Sequence, residues 1–155
     1  MLDYEHLIGK PFELGKHDCF EAVRCLYKDN FQIELANYAR PKDWDADKVD
    51  IIGKSYEREG FSKVLGWTLT NLKQGDLLCM AIGTSVPNHL ATYVGSNTIF
   101  HHKIGSLSNS EMLRDFWRRS ICYVLRHSEV NVPEVVLPEV QLVDIINERN
   151  SLKAS

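Results

Sequence analysis

Cys19 follows Asp18 directly and opens a run in which Phe20, Val23 and Tyr27 recur at helical spacing, as do Cys19, Ala22 and Leu26. Asp18 has the right chemistry for an N-cap, because its carboxylate can accept the orphan amide hydrogens of a first turn. A cysteine at the start of a helix meets partial positive charge and free amide donors, which favour a thiolate and pull its pKa down. The same donors can cradle the oxyanion formed when a thiolate attacks a carbonyl. Cys25 falls inside that helix, and Cys79 and Cys122 fall inside strand-like runs, where a cysteine is ordinarily a small core hydrophobe. The chemistry on offer is therefore nucleophilic attack by Cys19.

Such a thiol needs a base, and the base needs an orienting partner. His89 follows Val86-Pro-Asn88 at the head of one strand-like run, and His101-His102 close the next one, across the Gly95-Ser-Asn97 turn. In an antiparallel hairpin, a register pairing residues of even summed number puts His101 on the face of His89. An odd register brings up His102 instead. Either way two imidazoles from neighbouring strands meet. A zinc site of His89, His101 and Cys19 would use the same residues, but no Cys-x-x-Cys or His-x-x-x-His spacing supports it, so no metal or other cofactor is expected.

The elements that position these groups are helices first and strands afterwards. A short helix is expected over Tyr4 to Ile8, the cysteine helix to Tyr27, and an amphipathic helix over Asp45 to Glu59 on Val49, Ile52 and Tyr56. Strands are expected at Phe61 to Leu65, Leu77 to Ile82, His89 to Val94, Thr98 to His102 and Ile121 to Arg126. Ser108-Asn-Ser-Glu111 reads as a capping box opening a helix through Phe116. This order predicts an α+β domain, helices packed on a central antiparallel sheet, over residues 1–127. Residues 128–155, interrupted by Pro133 and Pro138, read as an appendage with a docking helix over Glu139 to Asn150.

Composition sets the class. The chain of 155 residues, 44% hydrophobic and 25% charged, fits one globular domain. A net charge of −3 argues against general affinity for nucleic acid or anionic lipid. No apolar run approaches the roughly 20 residues of a membrane span, so no membrane insertion is expected. The first eight residues do not resemble a signal peptide, which implies synthesis and retention in the cytoplasm unless the chain leaves within a larger assembly.

The residues together resemble a known family. Asp18-Cys19 at a helix start, a strand opened by His89 and a polar residue at position 101 form the pattern of NlpC-like peptidases, which are papain-like cysteine hydrolases. Leu7-Ile-Gly-Lys-Pro-Phe-Glu-Leu-Gly15, Ala39-Arg-Pro41 with Trp44, Gln74-Gly-Asp-Leu77, Phe100-His-His102 and Trp117-Arg-Arg119 look like the tail-assembly hydrolases of lambda-like phages. The resemblance runs from about residue 3 to residue 127.

That resemblance implies roles. Cys19 would attack an amide carbonyl, His89 would exchange its proton, and His101 would orient His89, with His102 in reserve. Asp18, Phe12, Phe20 and His102 would line the substrate site. The implied substrates are bacterial cell-wall (peptidoglycan) stem peptides, and the implied partners are phage tail-tip proteins, in a virion tail made in the host cytoplasm. Phe20-Glu21 stands where many members have Ser-Gly, and Phe12 where many have a tyrosine, so the substrate pocket departs from the family pattern. A structural tail-tip protein with a vestigial site, and an intracellular amidase on the same fold, are the competing expectations.

Overall fold

The computed structural model describes residues 1–40 and 51–130. A single 3-10 turn, Glu5–Leu7, precedes helix α1 (Cys19–Phe31); a short α2 (Ile51–Ser55) and strand β1 (Phe61–Lys63) follow. Strands β2 (Leu77–Met80), β3 (His89–Gly95), β4 (Thr98–His101) and β5 (Asn109–Met112) lead to α3 (Asp115–Ser120) and β6 (Ile121–His127). The six strands form one antiparallel sheet in the order β1-β6-β2-β3-β4-β5. The expected α+β architecture is thus the observed one. The docking helix and the first part of the 45–59 helix lie outside the described residues.

Strand alternation divides the core. Leu77, Cys79, Leu90, Val94, Phe100 and Leu125 face α1, against its Val23, Leu26 and Tyr27. Leu78, Met80, Ala91, Ile99, Leu113 and Val124 face the other way, under Trp117 of α3. β2 is buried along its whole length, which is why Leu-Leu-Cys-Met shows no polar alternation. No helix of the described residues is long and apolar enough to cross a membrane.

Three fastenings hold the layers in register. Arg126 of β6 grips Asp76 at the head of β2 through both carboxylate oxygens, at 2.8 and 2.7 Å. The Tyr27 hydroxyl donates to the Gly75 carbonyl at 2.5 Å, tying α1 to the turn before β2. Gly75 has φ +96°, and a Cβ there would lie 2.9 Å from Val130, so the turn requires glycine. Finally, Ser108 clasps the N-terminal segment. Its hydroxyl donates to Leu7 O at 2.6 Å and accepts from Lys10 N at 2.9 Å, while backbone bonds join it to Gly9 and Lys10.

One expectation fails here. Ser108 to Glu111 does not cap a helix: Asn109–Met112 is the edge strand β5, paired with β4, and α3 begins only at Asp115. The capping-box pattern is a local signal. The free edge of β4 captures this segment through long-range pairing, and Ser108 spends its hydroxyl on residues some hundred positions away.

Candidate active site

Helix α1 begins where expected, because Asp18 caps it. Asp18 Oδ1 accepts from Glu21 N at 2.9 Å, and Oδ2 accepts from Gly15 N at 2.8 Å. The latter amide is delivered by a tight hairpin in which Glu13 and His17 exchange backbone bonds at 2.8 Å. Arg40 Nε adds a third donor at 2.5 Å. Asp18 is therefore engaged by three donors of the fold and withdrawn from solvent. Arg40, named above only within the Ala39-Arg-Pro41 segment, is the partner that neutralises it.

Cys19 is the first residue of α1 and is nearly buried. Burial pushes its thiol up to about 11, against the pull of the Leu90 and Phe20 backbone amides and the Arg40 charge. This corrects the expectation of a lowered pKa. The helix start does supply amide hydrogen and positive charge, but removal from water outweighs both. The contact with the Leu90 amide brings the thiol to the backbone beside His89.

His89, His101 and Glu111 form a slanted row across β3, β4 and β5. His89 Nε2 lies 2.8 Å from His101 Nδ1, and His101 Nε2 lies 2.9 Å from a Glu111 carboxylate oxygen. The register explains the slant. Ala91 pairs with His101, and His101 pairs with Asn109, so each step joins residues two positions apart along the strands. The pairing sum is even, and it is His101 rather than His102 that meets His89. Trp117 covers the row, with ring centroids 6.0 Å from His89 and 4.8 Å from His101. Its indole N–H donates to Glu111 at 2.7 Å, and the Lys103 ammonium reaches the same carboxylate at 3.0 Å.

Electrostatics follow from depth. Burial brings His89 down to about 3, helped by the neighbouring His101 and Lys103. Burial also lowers His101, although Glu111 pulls the other way. Partial burial works upward on Glu111, but the hydrogen bonds from His101, Lys103 and Trp117 overcome it and hold the carboxyl at about 2. The resting row is a neutral thiol, two neutral imidazoles and one carboxylate.

The other expected residues occupy two further places. Phe20 stacks under the Arg40 guanidinium, at 5.1 Å to the ring centroid, and lines an apolar recess with Leu35, Tyr38, Tyr56 and Leu90. His102 turns to the α1 side, where its Nε2 meets Ser106 O at 3.0 Å and its ring takes Phe12 edge-on at 5.4 Å. Those two lie with each other, apart from the His89 row. Glu111 is the functional candidate that sequence reading missed. A carboxylate on a polar strand, read as the last residue of a capping box, gave no sign of facing a histidine. Among the described residues no three His, Cys, Asp or Glu side chains are grouped to hold a metal ion.

Comparison with known proteins places the chain by family and by fold. The model of the NlpC/P60 family matches residues 9–126. Tail tip assembly protein K of Escherichia phage lambda is 33% identical over 125 residues, covering 79% of this chain and 59% of that protein. The protein of the same name from Escherichia phage N15 is 25% identical over 126 residues, covering 80% and 50%. The chain thus spans between 50% and 59% of the length of these two relatives. In fold, a lipoprotein-like NLP/P60 protein of Staphylococcus aureus superposes with a TM-score of 0.54 at 18% identity, over 82% of this chain and 39% of that one. The NlpC/P60 domain of the peptidoglycan hydrolase SagA gives 0.52 at 18% identity, over 78% and 90%.

Proposed function

This chain belongs to the NlpC/P60 family, and from that premise we propose that it is a thiol-dependent amidase of bacterial cell-wall stem peptides, carried as a component of a phage tail tip. The observation that carries the reading is the buried row behind His89, together with a helix-start cysteine whose sulfur contacts the backbone amide of Leu90, the residue next to His89. A histidine pair held this way suits general-base work on a thiol.

The steps follow from the charges. As the Cys19 sulfur bonds to the amide carbon, its proton passes to His89, and the row behind His89 bears the resulting positive charge. His89 returns that proton to the leaving amine as the C–N bond breaks. Water then hydrolyses the thioester with His89 as base. Because the thiol rests neutral, proton transfer and attack occur together once substrate excludes water, rather than from a standing thiolate. The recess lined by Phe20 and Leu90 offers apolar cover for a substrate side chain. The tail location is supported by the names of the two phage relatives.

A second reading, a structural tail-tip protein with a vestigial site, is favoured by one observation: the thiol is buried and its pKa raised, not lowered. Digestion of purified peptidoglycan by the wild-type chain and by Cys19→Ala, with mass spectrometry of released fragments, separates the two. New amine termini that appear only with wild type support the amidase and name the bond. No release by either protein supports the structural reading.

A further inference from the structure

Glu111 touches neither Cys19 nor His89, yet it closes the row that ends on His89. We propose that Glu111 is the positioning residue that fixes the tautomer of both histidines, so that the His89 nitrogen turned away from His101 is kept as a bare lone pair. The proposal rests on the reading of His89 as the base for Cys19.

The argument is one of donors and acceptors. An ionised carboxylate accepts hydrogen bonds and offers none. His101 Nε2, 2.9 Å from Glu111, must therefore carry a hydrogen. A neutral His101 then presents a lone pair at Nδ1. The 2.8 Å contact between that Nδ1 and His89 Nε2 needs one hydrogen, and only His89 can supply it. With Nε2 protonated, a neutral His89 has its lone pair at Nδ1. One carboxylate on an edge strand thus fixes the hydrogens of two rings in sequence.

The surroundings hold Glu111 to this task. Its other oxygen accepts from Trp117 Nε1 at 2.7 Å, and Lys103 shares the His101-facing oxygen at 3.0 Å, so the carboxylate has a set orientation and charge. The groups that face His101 are His89 from β3, Glu111 from β5, Lys103 and His102 beyond β4, and the uncharged Trp117 ring from α3. Of these only Glu111 is anionic. When His89 takes up the thiol proton, Glu111 is the counter-charge, two hydrogen bonds away. Protonation of His101 has the opposite consequence. An imidazolium would donate from Nδ1, force the His89 hydrogen onto its own Nδ1, and abolish the base.

The test uses nitrogen-15 NMR of the imidazoles in the full chain, free of substrate, beside turnover of wall fragments. In wild type at neutral pH both His89 and His101 are expected as Nε2–H tautomers. In Glu111→Gln the amide can donate to His101 Nε2, so His101 gains the Nδ1–H form, and kcat falls by about 10- to 100-fold with KM within about twofold. Glu111→Asp, which keeps the charge, recovers part of both signals. Nδ1–H on wild-type His89, or unchanged tautomers in Glu111→Gln, would overturn the proposal. The wild-type spectrum decides the matter even if a variant does not fold. An expected spectrum without any turnover counts against the amidase reading and leaves the role of Glu111 in the tautomers standing.

Discussion

Arg40 Nε meets Asp18 Oδ2 at 2.5 Å, with both side chains almost wholly out of solvent. A loop residue 22 positions downstream thereby fixes the carboxylate that caps the cysteine helix. Arg40 is held in turn by the Asn37 side chain at 3.0 Å and the Tyr38 carbonyl at 2.7 Å, and its guanidinium covers Phe20. The start of α1 is thus built from two sequence segments, and only one of them contains the thiol.

Removing Arg40 strands a buried charge. Arg40→Met is expected to destabilise the fold by about 3–5 kcal/mol, the usual cost of leaving one member of a buried pair alone. Asp18→Asn combined with Arg40→Met should cost less than Arg40→Met by itself, since the asparagine carries no charge and still caps the helix. Urea unfolding of the two variants checks the order; a double variant less stable than the single one would contradict it.

Tyr27→Phe removes only the hydroxyl that serves Gly75 O. The ring remains packed against Phe31, Phe61 and His127, so no cavity opens. The carbonyl loses its side-chain donor in a buried setting. A loss of roughly 1–3 kcal/mol is expected, measured as a lower urea midpoint at unchanged slope.

Acid should weaken the fold through the histidine row. The folded-state pKa of His89 lies near 3, below the ordinary 6.5, and that of His101 is lowered as well. The unfolded chain therefore binds more protons than the native one as pH falls below 6.5. Full stability is present above that value and is lost on the way down towards 3, at up to about 1.4 kcal/mol per pH unit for each histidine. Unfolding midpoints between pH 7 and pH 4.5 test this, and His89→Gln should flatten the decline. An equally steep decline in that variant would move the cause elsewhere.

Thiol labelling should run against the usual order for a nucleophile. Cys122 is exposed, whereas Cys19 is buried with its thiol raised to about 11. With iodoacetamide at pH 7.5, peptide mapping is expected to find Cys122 modified first and Cys19 slowly, the Cys19 rate climbing tenfold per pH unit towards pH 10. Fast labelling of Cys19 at neutral pH would show that its thiolate is stabilised in the resting protein.

Much of this was legible in the sequence because the signals were local. Asp18 before an apolar helical run placed α1 and its first residue, and strand alternation with the Gly95-Ser-Asn97 turn placed His89 and His101 on neighbouring strands. Ser96 and Asn97 adopt φ of 50° and 56°, the left-handed pair such a hairpin turn requires. What stayed hidden depended on distant pairing. Glu111 needed the edge of β4, Arg40 needed to fold back onto Asp18, and the thiol's raised pKa depended on how deeply the sheet and helix would bury it. No window of a dozen residues contains those facts.

The strand order also has a consequence in time. Among the described residues β6 is the last strand to be made, yet it lies between β1 and β2, and residues 7–10 are fastened to Ser108. While the chain is still emerging from the ribosome, β1 has no partner and the segment before α1 has nothing to close upon. At about 5–20 residues per second, the nascent chain carries its cysteine for several seconds before Ile121–His127 arrives to join the sheet. A product stalled short of Ile121 would bear every residue of the row and the thiol, with the seam between β1 and β2 still open.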